Sequence, residues 1–255
     1  MVEVRPFARR DREQLTRLVN AHVSAAIPGG SIPTATLLNQ LEHPIGEPLI
    51  GPWVTEYATF VAVEAERVLG AAHLRRYADD ERTGTSYRNA GEIEWLLYWP
   101  DHLEAGRAVR DAAMKHLAGW ALRVWYADGT LPAPGVYGVA DSWPHVQRLY
   151  REAGFDPGEG QVEIIYAGTL DGIPPPREAP RAGLTVHREL GPLGTAFHAR
   201  LGDEIVGASK STTISPAGAP ISPSPAGRTS AITGSARTSA ERESGRGWSH
   251  MRLPG

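Results

Sequence analysis

Apolar positions along the first 170 residues switch between a period of two and a period near 3.6. Val2-Glu3-Val4-Arg5-Pro6-Phe7 alternates as a strand does. From Asp11, a predicted N-cap, Leu15, Leu18, Val19 and His22 recur on one helical face. The turn-rich Ile27–Pro33 stretch separates this helix from a second, Thr34 to Leu41. Phe60–Val63 and Val68–Leu74 flank Glu64–Arg67 and predict a β-hairpin. A polar loop from Asp79 to Asn89 leads to a buried strand, Glu92 to Trp99, stopped by Pro100. Val109, Ala113, His116, Leu117, Trp120 and Val124 then predict a long helix, broken by Pro132-Ala133-Pro134-Gly135. A short strand Val136–Val139, a helix Trp143–Ala153 closed by Gly154, and a strand Gln161–Ala167 complete the series. The order β-α-α-β-β-β-α-β-α-β predicts an α/β fold (α+β mixed sheet) with helices on both faces.

Residues 1–170 are expected to form one domain, and residues 171–183 a proline-rich linker that acts as a semi-rigid spacer. Strands are predicted at Leu184–Val186, Thr195–Leu201 and Glu204–Gly207, so that residues 184–207 open a second domain too short to bury a core. Residues 208–255 are expected to be a disordered low-complexity tail: from Ser209 to Gly247 only Ile214, Ile221 and Ile232 are large and apolar. Codons begun one base earlier give another account of that tail. A TCN serine then hides Ile, Val, Leu or Phe, and Pro220–Gly234 can spell H-L-A-L-A-G-W-A-D-I-G-N-H-W. Ser235–Gly245 can spell R-E-D-V-R-G-x-G-V-G after a leading valine, and Ser209–Ser215 can spell E-V-D-D-N-L-T. The tail therefore reads as an out-of-frame continuation of the second domain.

Composition narrows the chemistry. Of 255 residues 41% are hydrophobic, enough for a packed core, and the net charge of −3 advertises neither nucleic acid nor an anionic membrane. Lys115 and Lys210 are the two lysines among 26 basic residues, and Ala, Gly, Pro and Arg are heavily used, as in GC-rich coding sequence. No cysteine is present, which excludes disulfides, thiolate metal sites and a cysteine nucleophile. The charged start MVEVRPFARRDRE lacks an apolar signal core, and no apolar run approaches the roughly 20 residues of a membrane span; a cytoplasmic protein is expected. Neither G-x-S-x-G nor a Walker A sequence occurs, and the nine histidines lack zinc-site spacing, so no metal is expected.

Two segments carry a resemblance. Leu103-Glu104-Ala105-Gly106-Arg107-Ala108 follows the fourth strand and opens the long helix. Asp141 to Phe155 contains Leu149-Tyr150-Arg151-Glu152-Ala153-Gly154-Phe155 at the expected distance beyond it. With the element order, these resemble the GNAT acyl-CoA N-acetyltransferases: the first their Q/R-x-x-G-x-G/A loop, the second their N-x-x-A-x-x-L-Y-x-x-x-G-F segment. Leu103 departs from the loop pattern, and Glu104 places a carboxylate where a pyrophosphate is expected, which Arg107 and Arg110 could offset. The resemblance implies acetyl-CoA as co-substrate, its pyrophosphate held by backbone amides of Leu103–Ala108 at the positive end of a helix. It implies that Leu97 and Tyr98 meet the acetyl group and pantetheine through backbone bonds. It makes Tyr150 the general acid toward the leaving thiolate, and Glu92 the group that takes a proton from an attacking amine, with Glu94 on the same strand face as an alternative. Transfer to a primary amine of a small molecule is the expected activity; an inactive acyl-CoA-binding or scaffold module, or a folding-defective product, is the alternative. Neither nucleic acid nor membrane is an expected partner, and a homodimer is left open. The imperfect loop makes the first domain a candidate for the degenerate half of a tandem pair.

Overall fold

The structure is a computed structural model that describes residues 1–42, 53–133, 136, 138–155, 181–191, 194–211 and 215–216. These fall into two compact units, one containing the described residues up to 155 and the other those from 181.

In the first unit the chain runs β1 (Glu3–Pro6), α1 (Arg12–Ala26), α2 (Thr34–Glu42), β2 (Val54–Glu64), β3 (Arg67–Tyr77), β4 (Ala90–Tyr98), α3 (Leu103–Gly119), β5 (Val124–Ala127) and α4 (Pro144–Glu152). The sheet order is β1-β2-β3-β4-β5, antiparallel throughout except for the parallel pair β4–β5. The fold is therefore the expected α/β mixed sheet. All nine residues of β4 are buried, which suits a central strand covered on both faces. α3 buries Ala105, Val109, Ala113 and Leu117, one residue per turn, and lies on the Phe60 and Gly91 face of the sheet. α2 lies on the other face, where Gln40 reaches Glu94 and Trp95.

Two local expectations need correction. The helix after Pro100 does not continue through Val124. It ends at Gly119, Ala121 takes a left-handed φ of 51°, and Val124 opens β5. The strand expected at Val136–Val139 is absent among the described residues there; the parallel partner of β4 is instead Val124-Trp125-Tyr126-Ala127. The helical spacing of Val124 with Trp120 misled, because one more apolar residue in register cannot reveal a reversal of the chain. Asp11 does sit at the N-cap of α1, but its carboxylate binds Arg5 at 2.7 Å and the Ala8 amide at 2.9 Å rather than capping the helix.

The second unit is a meander, β6 (Leu184–Gly191), β7 (Gly194–Leu201) and β8 (Glu204–Ser211), so pairing continues through Ser211, inside the stretch expected as tail. Ala208 to Ser211 pair backbone to backbone with β7, and a ladder of main-chain groups does not require an apolar sequence. Its register reproduces that of β1-β2-β3. The pairs Glu64↔Arg67, Val63↔Val68 and Ala62↔Gly70, with a bulge at Leu69, correspond to Leu201↔Glu204, Arg200↔Ile205 and Ala199↔Gly207, with the bulge at Val206. Val4↔Ala62 corresponds likewise to Val186↔Ala199. Where the first unit inserts α1 and α2 between its first two strands, the second has only residues 192–193. The predicted strand Gln161–Ala167, the linker of residues 172–180 and the tail beyond residue 216 lie outside the described residues.

Candidate functional site

β4 and β5 pair from Ala90↔Val124 to Ile93↔Ala127 and then part. The Asp128 amide donates to the Ile93 carbonyl at 2.8 Å and the Thr130 amide to the Glu94 carbonyl at 3.0 Å, and beyond them no strand among the described residues pairs with that edge of β4. Into this fork α4 sends Tyr150. Its hydroxyl donates to the Asp128 carbonyl at 2.8 Å, and the Leu96 backbone also hydrogen-bonds it. Burial, then the charges of Asp128 and Glu92, push the phenol well above its ordinary value, so it stays protonated. α4 is set for this by Pro144 in its first turn and by Gly154, at φ 86°, just past its end.

One face of the fork is a buried polar cluster. Arg75 on β3 binds Glu92 at 2.9 Å and Glu94 at 3.3 Å, and Tyr77 donates to Glu92. A bulge between His73↔Trp95 and Leu74↔Ile93 leaves Glu94 as the extra residue of β4, which helps both carboxylates reach one guanidinium. Gln40 completes the set, donating to Glu94 at 3.1 Å and accepting from Trp95 Nε1 at 3.0 Å. Burial alone would weaken Arg75's hold on its proton; the facing Glu92 and Glu94 outweigh it, leaving the group well above its ordinary value. His73, stacked between Tyr57 and Trp95, is held down to about 3 by burial and then by Arg75. Asp128, half-buried, is raised to about 7 by burial and then by the charge of Glu92, against the pull of the Thr130 hydroxyl.

Leu97 and Tyr98 are buried at the end of β4 and pair with Ala71 and Gly70 on the β3 side. Leu103 to Ala108 is not a loop: the helix begins at Leu103, and the Gly106 amide already bonds the His102 carbonyl at 3.1 Å. The amides of Leu103, Glu104 and Ala105 form the first turn and find no carbonyl within the helix. Exposed Glu104 complements the helix dipole there. Gly106 is small for a packing reason, since a Cβ on it would lie 2.7 Å from the Tyr98 ring. Arg107, Arg110 and Arg148 converge on the Glu152 carboxylate at 3.0, 3.2 and 2.8 Å. Hydrogen bonds from Arg107 and Arg148 hold Glu152 down to about 2. Arg110 also binds Asp111 at 2.7 Å, so three guanidiniums meet two carboxylates and one positive charge is left over beside the first turns of α3.

The structure thus gathers Glu92 and Tyr150 at one fork and Leu103–Ala108 at the adjacent helix end. Arg75, Tyr77, Asp128, Gln40, Arg148 and Glu152 escaped the sequence reading. For Arg75 and Tyr77 a signal existed: with His73 they put polar groups at alternate positions, on one face of a strand that begins Val68-Leu69-Gly70-Ala71-Ala72. Asp128 carried none, because its segment read as the end of a helix. Among the described residues no group of three or more His, Asp or Glu is placed to hold a metal ion, and no helix is long and apolar enough to cross a membrane.

No protein-family model matches the chain, and no curated protein matches it. Solved structures do. An acetyltransferase of the GNAT family from Staphylococcus aureus is 13% identical, over 68% of this chain and 90% of its own, with a TM-score of 0.42. A GNAT family acetyltransferase from Brucella melitensis, solved in complex with acetyl-CoA, is 15% identical over 61% and 83%, with a TM-score of 0.39. A transcriptional regulator from Bacillus halodurans is 12% identical over 65% and 100%, with a TM-score of 0.45.

Proposed function

We propose that the first unit is an acetyl-CoA-dependent N-acetyltransferase of the GNAT type, acting on the primary amine of a small molecule. The observation that carries this reading is the fork between β4 and β5, with the Tyr150 hydroxyl at its apex and the N-terminus of α3 directly after β4. A thioester laid along the edge of β4 that β5 leaves would meet backbone amides as a strand does, and its pyrophosphate would meet the first-turn amides of α3. Arg107, Arg110 and Arg148 supply charge for the phosphates. The amine attacks the thioester carbonyl carbon, the C–S bond breaks, and Tyr150 gives its proton to the departing thiolate. The acceptor side holds Glu92, Glu94 and Asp128 against one Arg75, a balance that suits a cationic amine. Isothermal titration with acetyl-CoA, followed by thiol-release assays over a panel of primary amines, tests it. No binding would sink the reading.

One observation favours a second reading, an inactive acyl-CoA-binding module. Tyr150 already bonds the Leu96 backbone at the edge of β4, and Glu152 already engages the arginines, so both sites are self-satisfied. Binding without thiol release from any amine selects this reading. The matched registers of β1-β2-β3 and β6-β7-β8 support the further proposal that residues 184–211 are the remnant of a tandem second copy. The nucleotide sequence around Gly207 tests whether that copy ended by a frameshift.

A further inference from the structure

Three features of the fork bear on which group accepts the amine's proton. Glu92 is 1% exposed and committed to Arg75 and Tyr77, out of reach of an incoming amine. Glu94 is 6% exposed and shared among Arg75, Gln40 and His73. Asp128 is the one of the three residues that is partly exposed, and it sits where β5 leaves β4. Its Oδ1 accepts from the Gly129 amide at 2.8 Å and its Oδ2 from the Thr130 hydroxyl at 2.6 Å, which fix the carboxylate while leaving lone pairs for a further donor. Its own carbonyl holds the Tyr150 hydroxyl at 2.8 Å. Residue 128 therefore sets both the general acid, through its backbone, and a carboxylate beside it.

Granting the acetyltransferase reading, we propose that the Asp128 carboxylate, not that of Glu92, takes the proton from the attacking amine. The C–N bond forms as the amine's lone pair enters the thioester carbonyl; the C–S bond breaks as the tetrahedral centre collapses. The N–H proton passes to Asp128 and the Tyr150 proton to the thiolate. Solvent then returns the proton from Asp128 to Tyr150, so amine and acetyl-CoA become amide and CoA thiol with no net change in the protein. The charged and titratable groups acting on Asp128 are Glu92 on β4, Arg75 on β3 and Tyr150 on α4. Burial and the Glu92 charge hold Asp128 near neutrality, where a base is most effective.

The experiment uses the full chain, acetyl-CoA and a panel of primary amines, with thiol release followed across pH 5–9 and acetyl-CoA affinity measured in parallel. The expected wild-type profile of kcat/KM rises with pH through a midpoint near 7. Asp128→Asn should lower kcat about 10²-fold and lose the rising limb, with acetyl-CoA affinity unchanged. Glu92→Gln should keep the limb but move it to lower pH, because it removes a neighbouring negative charge. Thr130→Val should move the limb to higher pH while the protein stays folded, because it removes a bond that favours the ionised carboxylate. Loss of the limb in Glu92→Gln but not in Asp128→Asn would overturn the proposal and leave the acetyltransferase reading standing. Acetyl-CoA binding with no thiol release from any amine would overturn it in favour of the inactive module. Failure to bind acetyl-CoA would remove the acetyltransferase reading itself.

Discussion

At the scale of the residue, the cluster at the fork combines structural and chemical roles, and substitutions can separate them. Tyr150→Phe keeps the ring but leaves the Asp128 carbonyl and the Leu96 backbone without their hydroxyl partner. A loss of about 1–3 kcal/mol in folding stability is expected by urea denaturation. If the unit is catalytic, kcat should fall by roughly 10²–10⁴ with little change in acetyl-CoA affinity. Retained turnover would make Tyr150 a core aromatic and nothing more. The buried histidines set a second expectation. His22 donates from Nδ1 to the Leu18 carbonyl at 2.9 Å, so its Nε2 accepts from His145 at 2.9 Å. Burial, with His145 adding to it against the Leu18 bond, lowers His22 to about 4, and burial lowers His73 to about 3. Both are neutral in the fold, whereas an unfolded histidine titrates near 6.5. The folded state therefore binds fewer protons between these values. The stabilisation is complete above pH 6.5 and is lost as pH falls from there toward 4. The melting temperature should decline over that window, and less steeply in His22→Gln.

At the scale of the element, α3 is the part on which both packing and binding depend. Its stripe of Ala105, Val109, Ala113 and Leu117 seats it against the sheet, and Gly106 brings its first turns onto the Tyr98 ring. Gly106→Val has no room for its side chain. Overpacking of this kind costs typically about 1–3 kcal/mol, so the melting temperature should fall and acetyl-CoA binding with it. An unchanged melting temperature would show that α3 can shift to accept the larger residue. Glu152 ties α4 to α3 through Arg107 and Arg110. Glu152→Gln should free Arg107 and Arg148 for phosphate while Arg110 stays with Asp111, tightening acetyl-CoA binding at low ionic strength, with the gain shrinking as salt is added. A salt-independent affinity equal to wild type would show that Arg107 and Arg148 do not face the phosphates. The Ala65-Glu66 turn between β2 and β3 has both residues at positive φ, 45° and 65°, where the second unit places Gly202, φ 58°, at the first of them. The two hairpins keep the same two-residue length but not the same turn, since Asp203, the counterpart of Glu66, is not at positive φ.

At the scale of the whole molecule, the register of β1-β2-β3 recurs in β6-β7-β8. Positions that are buried in the first unit are open in the second: Val68 at 3% and Leu69 at 2% exposure correspond to Ile205 at 50% and Val206 at 43%. In the first unit Gln14 of α1 and Trp99 bond the backbone of Val68 and Leu69. The second unit keeps the strands without an equivalent of α1 between them. Three strands alone bury little apolar surface, so the first unit should carry the stability and the binding. A chain of residues 1–170 should match the full-length protein in melting temperature and acetyl-CoA affinity. A large loss in either would assign the second unit a supporting role.

What the sequence determined by itself was the periodic part. The faces of α1 and α4, the β2–β3 hairpin, the central strand β4, the start of α3 and the three strands of the second unit follow from local spacing. Each buries a stripe or face whose period is written in consecutive residues. The family resemblance also marked Glu92, by its place near the start of the fourth strand, and Tyr150, by the segment around it. Only the tertiary structure decided the rest. The end of α3 and the start of β5 depend on a left-handed Ala121, for which alanine gives no signal. The bulge at Glu94 is set by pairing with β3, and it helps Arg75 reach two carboxylates at once. Asp128 acquires its place from the parting of β4 and β5, residues distant in the chain, and its proton affinity from burial and from a charge on another strand. Periodicity is a property of neighbours in sequence; burial, register and charge coupling arise between segments the chain brings together only on folding.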